Sequence, residues 1–270
     1  MPEGDTIHTL ARYLGAALGG GVVTRVRVRG QVWPDLAGLR IQGVSSKGKH
    51  LYLELNNGLC LRSHLGLYGS WHRYRPHEPW QKPERQAVLV LEMEGWAYVC
   101  FNAKEVELTR STGFESRDQR GRLGPDLTQD TPDADLIRRR ALALSSPDTP
   151  LVDLLLDQRV ACGIGNVYKS EVLFLTRRPP VLTVQQLSLQ DFVDLYGNAA
   201  RLLRRNLGGG PRTTRAIPDG RGPLWVYGRA GLPCLVCGTP VRRERLGREP
   251  RSTYWCPTCQ GPVPAPERAA

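Results

Sequence analysis

The chain has 270 residues, 40% of them hydrophobic, ample for one large or two modest domains and far above the size that needs stapling. No apolar run approaches the roughly 20 residues of a bilayer span, and MPEGDTIHTL lacks the basic region and apolar core of a secretory leader, so a cytoplasmic protein with no membrane partner is expected. Its 37 Lys and Arg outnumber 26 Asp and Glu, a net charge of +11 that points to a polyanionic partner, nucleic acid first.

Nucleotide bias in the coding genome would also supply part of the arginine excess. The lysines, by contrast, are few (Lys47, Lys49, Lys82, Lys104 and Lys169), so a lysine at a suggestive place is informative.

Ile7, Leu10, Ala11, Leu14 and Leu18 fall at helical spacing, with Asp5 or Thr6 as N-cap and Gly19 to Gly21 as the stop. From there to about residue 108 the period becomes two: Val26 and Val28 alternate with arginines, and Leu51, Leu53 and Leu55 with Tyr52 and Glu54. Asn57-Gly58 predicts a two-residue hairpin turn with both central residues at positive φ, and Glu94-Gly95 reads similarly. Many short antiparallel strands imply a sandwich or barrel.

The Gly-, Arg-, Asp- and Pro-rich stretch from Thr112 to Asp135 reads as a linker. Helices are then expected over Asp133 to Leu144, from Thr149-Pro150 through Gln158, from near Asn166, and from about Leu189 to Leu207. The polar segment from Gly208 to Gly222 reads as a mobile loop, and GPVPAPERAA as a disordered tail.

Seven cysteines are unevenly spread. Cys60, Cys100 and Cys162 read as small buried hydrophobes. Cys234-x2-Cys237, eighteen residues, then Cys256-x2-Cys259 fits a closed four-thiolate zinc site, whose role is structural. The intervening stretch suits a β-hairpin presenting arginines to phosphates.

In LLLDQRVACGIGNVYKSEVLF, Gly163 and Gly165 allow close backbone approach, and the helix starting at Asn166 offers free N–H groups to a phosphate. Ordinary packing of two helices, with Asn166 as a cap, is an equal alternative. At the N-terminus, removal of Met1 would leave Pro2 as a secondary amine able to form an iminium with a sugar aldehyde, with the Glu3 carboxylate near the same carbon.

Together, MPEG at the start, a strand-borne Lys49 in SSKGKHLYLEL, the GIGN turn and the paired CxxC motifs resemble, across nearly the whole chain, the Fpg/Nei family of DNA glycosylase/AP lyases. MPEGDT looks closest to endonuclease VIII-like actinobacterial members. The resemblance implies an α+β multidomain fold: an N-terminal helix with an antiparallel β-sandwich carrying catalysis (1–112), a linker (113–132), a helix–two-turn–helix DNA-binding domain (133–222), a zinc-finger β-hairpin (223–260) and the tail (261–270). It implies Pro2, Glu3, Lys49 and Arg251 as catalytic residues. Asn166, Arg122, His64, Leu67 and Tyr68 would bind DNA, the last two as a wedge in SHLGLYGSW unless they belong to the sheet core. Gly66 stands where many members carry Gln.

The implied activity is base-excision repair of oxidised bases, pyrimidines first, through a Schiff base on Pro2 and β,δ-elimination. One structural zinc is the implied cofactor, and damaged DNA, double- or single-stranded, the partner of a nucleoid-associated bacterial monomer. An oxidised-purine glycosylase, or a zinc-finger DNA-binding protein without chemistry, are the alternatives.

Overall fold

The apolar stripe Ile7, Ala11, Leu14 and Leu18 forms helix α1 (Gly4–Leu18) in a computed structural model that describes residues 1–110 and 122–261. The helix starts earlier than expected. Glu3 is its N-cap, while Asp5 lies in the first turn and is buried. Gly19 closes the helix through a bond from its N–H to the Gly15 carbonyl.

The chain divides into two units, the boundary falling after Arg122. In the first unit, β1 (Val23–Val28), β2 (Gln31–Val32), β6 (Ser70–Tyr74), β7 (Ala87–Met93) and β8 (Trp96–Phe101) form an antiparallel sheet in the order β2-β1-β7-β8-β6. A second antiparallel sheet runs β3-β4-β5-β9, from β3 (Ile41–Lys47), β4 (His50–Leu55), β5 (Leu59–His64) and β9 (Glu105–Arg110).

Leu51, Leu53 and Leu61 of the second sheet share a core with Val26, Leu89 and Leu91 of the first and with the buried stripe of α1. This makes the unit a sandwich with α1 against β3 and β4. Truncating Leu14, which is 1% exposed, to Ala would cost about 2–5 kcal/mol.

The turn after β4 differs from its expected form. Asn56, Asn57 and Gly58 make a three-residue loop in which Gly58 alone has positive φ (77°) and its N–H reaches the Leu55 carbonyl. Asn57 instead accepts the Leu59 N–H on its side chain, an Asx-type turn two residues on. Glu94-Gly95 is a two-residue turn between the paired Met93 and Trp96.

In the second unit, α2 (Ala134–Leu144), α3 (Leu151–Leu154), α4 (Asn166–Leu175) and α5 (Leu189–Arg205) surround a core of Ile137, Leu151, Tyr168, Val172, Phe192 and Leu203. Asp133 and Ser188 cap α2 and α5 through their side chains. Helix α3 stops at Leu154, well short of Gln158, whose side-chain amide donates to the Leu156 and Ile164 carbonyls.

Two segments expected to be loose are anchored. Of the expected linker, residues 111–121 lie outside the described residues, but Leu123, Asp126, Leu127 and Thr128 are buried. Here the Leu127 N–H reaches the Cys162 carbonyl, and the Cys162 N–H the Pro125 carbonyl. Gly124 abuts the Val160 backbone so closely that a β-carbon would overlap it.

In the expected mobile loop, Thr214 and Arg215 are buried. Thr214 donates to Glu171, whose carboxylate also accepts the N–H groups of Trp225, Val226 and Tyr227 at 2.8–2.9 Å. Strands β10 (Arg242–Leu246) and β11 (Arg251–Trp255) form the hairpin expected between the cysteine pairs, and α6 (Pro257–Gln260) follows. The predicted tail lies outside the described residues from 262 onward. Among the described residues, no helix is long and apolar enough to cross a membrane.

Candidate active site and nucleic-acid interface

In the first unit, Pro2 is half-buried in the residue pair that leads into α1, and Glu3 is fully buried, its carbonyl accepting the Ile7 N–H at 3.1 Å. The start of the helix thus fixes the backbone direction of Glu3, the N-cap. Lys49 is not borne on a strand. It occupies the two-residue turn between the paired Lys47 and His50, and Gly48, at φ 57°, takes the left-handed position. The glycine permits the tight reversal that leaves Lys49 at the sheet's end, half-buried.

Beside that turn lies a charged cluster with no local sequence signature. Arg62, 0% exposed, contacts His50 Nδ1 at 2.7 Å, Glu105 at 3.0 Å and Glu107 at 2.8 Å. Its partners converge because the strand register sets His50 opposite His64, and His64 opposite Glu105. The two histidine rings lie 4.8 Å apart.

Burial, then the neighbouring His64 and Arg62, pushes the pKa of His50 down to about 3. Burial likewise pushes His64 down to about 4, with Glu105 opposing and Lys49 and Lys104 adding to the fall. Both rings are therefore neutral at pH 7. Burial works against the charge on Arg62, but the hydrogen bonds it donates to Glu107 and Glu105 keep its pKa above the usual value.

Leu67 and Tyr68 are not sheet core. They occupy the turn between β5 and β6, 49% and 78% exposed. Gly66, at φ 63°, has the Lys104 β-carbon 3.0 Å from where its own β-carbon would be, and Gly69 packs on the Leu65 backbone. Two glycines compress the loop and force its apolar tip outward. Arg122 is exposed at the boundary of the unit.

In the second unit, Gly165 is the N-cap of α4 and Asn166 its first residue. Gly163, at φ 115°, donates its N–H to Gln158 Oε1, which locks the turn. Lys169, one helical turn after Asn166, is fully buried. Its amine donates to Asn166 Oδ1 (3.2 Å), the Ser252 carbonyl (3.3 Å) and Thr253 Oγ1 (2.9 Å). Tyr254 N–H donates to Ser170 Oγ at 3.3 Å. Helix α4 and strand β11 are thereby joined, and Arg251, 48% exposed, heads that strand in contact with Glu249 at 3.2 Å.

The four expected zinc ligands converge. The Sγ atoms of Cys234, Cys237, Cys256 and Cys259 all lie within 4.8 Å of one another, against about 3.8 Å for a tetrahedron of Zn–S bonds of ~2.3 Å. Four thiolates complete the coordination shell of one structural zinc and leave no open position for water. Gln260 accepts the Cys256 N–H and donates to the Arg178 carbonyl, tying the zinc knuckle to the end of α4.

Sequence reasoning missed Arg62, Glu105, Glu107 and Glu171. Lys169 had one signal, a rare lysine in an apolar helix three residues beyond Asn166.

Three family models match. Residues 1–113 fit the formamidopyrimidine-DNA glycosylase N-terminal domain, 123–216 its helix–two-turn–helix domain, and 231–261 a zinc finger found in Fpg and isoleucyl-tRNA synthetase. The chain is 40% identical over 273 residues to the probable endonuclease 8 2 of Streptomyces coelicolor, covering 98% of this chain and 96% of that one. It is 37% identical to the DNA-(apurinic or apyrimidinic site) lyase Nei2 of Mycolicibacterium smegmatis, with 96% and 99% coverage. Its fold is similar to that of Lactococcus lactis formamidopyrimidine DNA glycosylase bound to AP-site DNA: TM-score 0.80, 23% identity, 96% and 99% coverage.

Proposed function

The chain belongs to the Fpg/Nei family of DNA glycosylase/AP lyases of base excision repair, and we propose that its nucleophile is the nitrogen of Pro2, freed by removal of Met1. The observation that carries this reading is a buried carboxylate, Glu3, placed directly after that nitrogen by the start of α1.

In the proposed sequence the lesion nucleotide leaves the duplex, at a cost of roughly a few kcal/mol. Pro2 N bonds to C1′ and gives up its proton, the base leaves with the glycosidic electron pair and takes up a proton, and Glu3 protonates O4′ as the C1′–O4′ bond opens. The resulting iminium accepts the electron pair released when a C2′ proton departs, and the return of that pair expels the 3′ phosphate. A second elimination releases the 5′ phosphate, and water frees Pro2. The electron sink is the protein's own iminium.

Lys49, Asn166 and Arg251 hold the phosphates flanking the lesion, with Arg122 and His64 as further DNA contacts. Leu67 and Tyr68 fill the space left by the flipped nucleotide, a role that suits an exposed apolar loop tip. Zinc shapes the hairpin. The endonuclease 8 names of the relatives agree with the resemblance to endonuclease VIII-like members, and that resemblance makes oxidised pyrimidines the proposed substrates. The protein acts as a monomer on DNA in the bacterial cytoplasm, at the nucleoid.

The test is borohydride trapping with the Met-free protein on duplexes bearing an AP site, thymine glycol or 8-oxoguanine. A covalent adduct on the first two that vanishes in Pro2→Gly is expected. Preference for 8-oxoguanine would move the substrate to oxidised purines. An adduct that persists in Pro2→Gly and also after acetylation of the N-terminal amine would displace the proposed nucleophile, since the amine of the substituted residue can itself trap an aldehyde.

A further inference from the structure

Arg251 directly follows the turn Gly247–Pro250 of the zinc hairpin, where the register sets it opposite Leu246. That turn has a seat on the helical part of its own unit. Asp153, in α3, accepts the Arg248 backbone N–H on Oδ2 at 2.8 Å. Gly247, at φ 97°, lies so close to the same carboxylate that a β-carbon would overlap it. The Arg248 guanidinium reaches Asp148 at 2.9 Å, and Leu246 packs on the helical core.

These contacts join residues 95 and 100 positions apart, and they sit at the end of the hairpin opposite the thiolates. Zinc fixes the base of the hairpin and Lys169 the middle of β11. Neither fixes the turn.

We propose that Asp153 is a positioning residue: by seating the Gly247-Arg248 turn, it sets where Arg251 meets phosphate. The proposal rests on the reading of Arg251 as a phosphate ligand. It carries a sign that plain electrostatics does not. Deleting a carboxylate from a DNA-binding protein removes repulsion and would tighten binding, whereas loss of the seat weakens it.

The experiment measures affinity for a duplex carrying a tetrahydrofuran abasic analogue, with zinc content checked for every variant. Asp153→Ala is expected to bind about tenfold more weakly and to lower the slope of log affinity against log salt by about one phosphate contact. Asp153→Asn keeps an oxygen acceptor for the Arg248 N–H and is expected to stay within about threefold of wild type. In an Arg251→Ala background, Asp153→Ala is expected to change affinity less than twofold, because both changes remove one contact.

Arg251→Ala binding like wild type would sink the phosphate-ligand reading and this proposal with it. A weakened Arg251→Ala together with a wild-type Asp153→Ala, or losses that simply add, would overturn the proposal alone. If Asp153→Ala loses its zinc, Gly247→Ala, which crowds the same seat from the turn side, is expected to give the same non-additive loss; additivity there is equally fatal.

Discussion

Lys169, removed entirely from solvent, donates a hydrogen bond to Asn166 Oδ1 at 3.2 Å and, from the same amine, to Thr253 Oγ1 at 2.9 Å. One side chain therefore orients an asparagine at a helix N-terminus and fastens the strand headed by Arg251. Lys169→Met keeps much of the volume but strands these acceptors, at a cost of about 1–3 kcal/mol for each left unsatisfied. Urea denaturation should show that loss alongside weaker DNA binding; a variant of unchanged stability and affinity would mean the network is idle.

Glu249 holds Arg251 at 3.2 Å, with side chains 86% and 48% exposed. An exposed pair of this kind is worth ~0.2–1 kcal/mol. A phosphate must displace Glu249, so Glu249→Gln should tighten DNA binding by up to about fivefold, while Arg251→Ala weakens it and reduces strand cleavage with the fold intact. Anisotropy titrations at fixed salt decide the matter, and a Glu249→Gln variant that binds more weakly would reverse the assignment.

The buried histidines make the first unit sensitive to acid. Their folded pKa values, about 3 for His50 and about 4 for His64, lie below the ordinary 6.5, so below pH 6.5 the unfolded chain binds protons that the folded chain refuses. Their effect on stability is neutral above that pH and increasingly unfavourable as pH falls through 6.5 toward those values. Each histidine costs about 2 kcal/mol by pH 5. Urea midpoints followed by tryptophan fluorescence should fall steeply from pH 6.5 to 5, less so in His50→Gln; a flat wild-type profile would contradict neutral buried rings.

Removal of zinc takes away the base of the hairpin while leaving the sandwich core of α1 and two sheets unaltered. Chelation should abolish DNA affinity before the first unit melts, and calorimetry with a parallel binding assay would resolve the two events. Full affinity in metal-free protein would contradict the finger's assigned role.

Tyr68 and Leu67 project from a loop that Gly66 and Gly69 compress. Replacing both with Ala should leave stability within about 0.5 kcal/mol. Lesion processing in duplex DNA should fall at least tenfold, with single-stranded AP substrate much less affected. Equal losses on both substrates would argue against a wedge.

The zinc ligands, α1, the paired strands and the glycine turn before Asn166 were legible in the sequence because each depends on residues a few positions apart. Thiolate spacing, periodicity and positive φ are local constraints. Local rules also set limits: Lys49 was expected on a strand because it lies in the strand-rich stretch just before Leu51, yet Gly48 makes it a turn residue. Tertiary structure alone brought Arg62 to Glu107, Lys169 to Thr253, Asp153 to Arg248 and Thr214 to Glu171, pairs 43 to 95 positions apart. Burying a charge is unfavourable unless other groups meet it, and no local pattern of one segment records which distant segment will supply them.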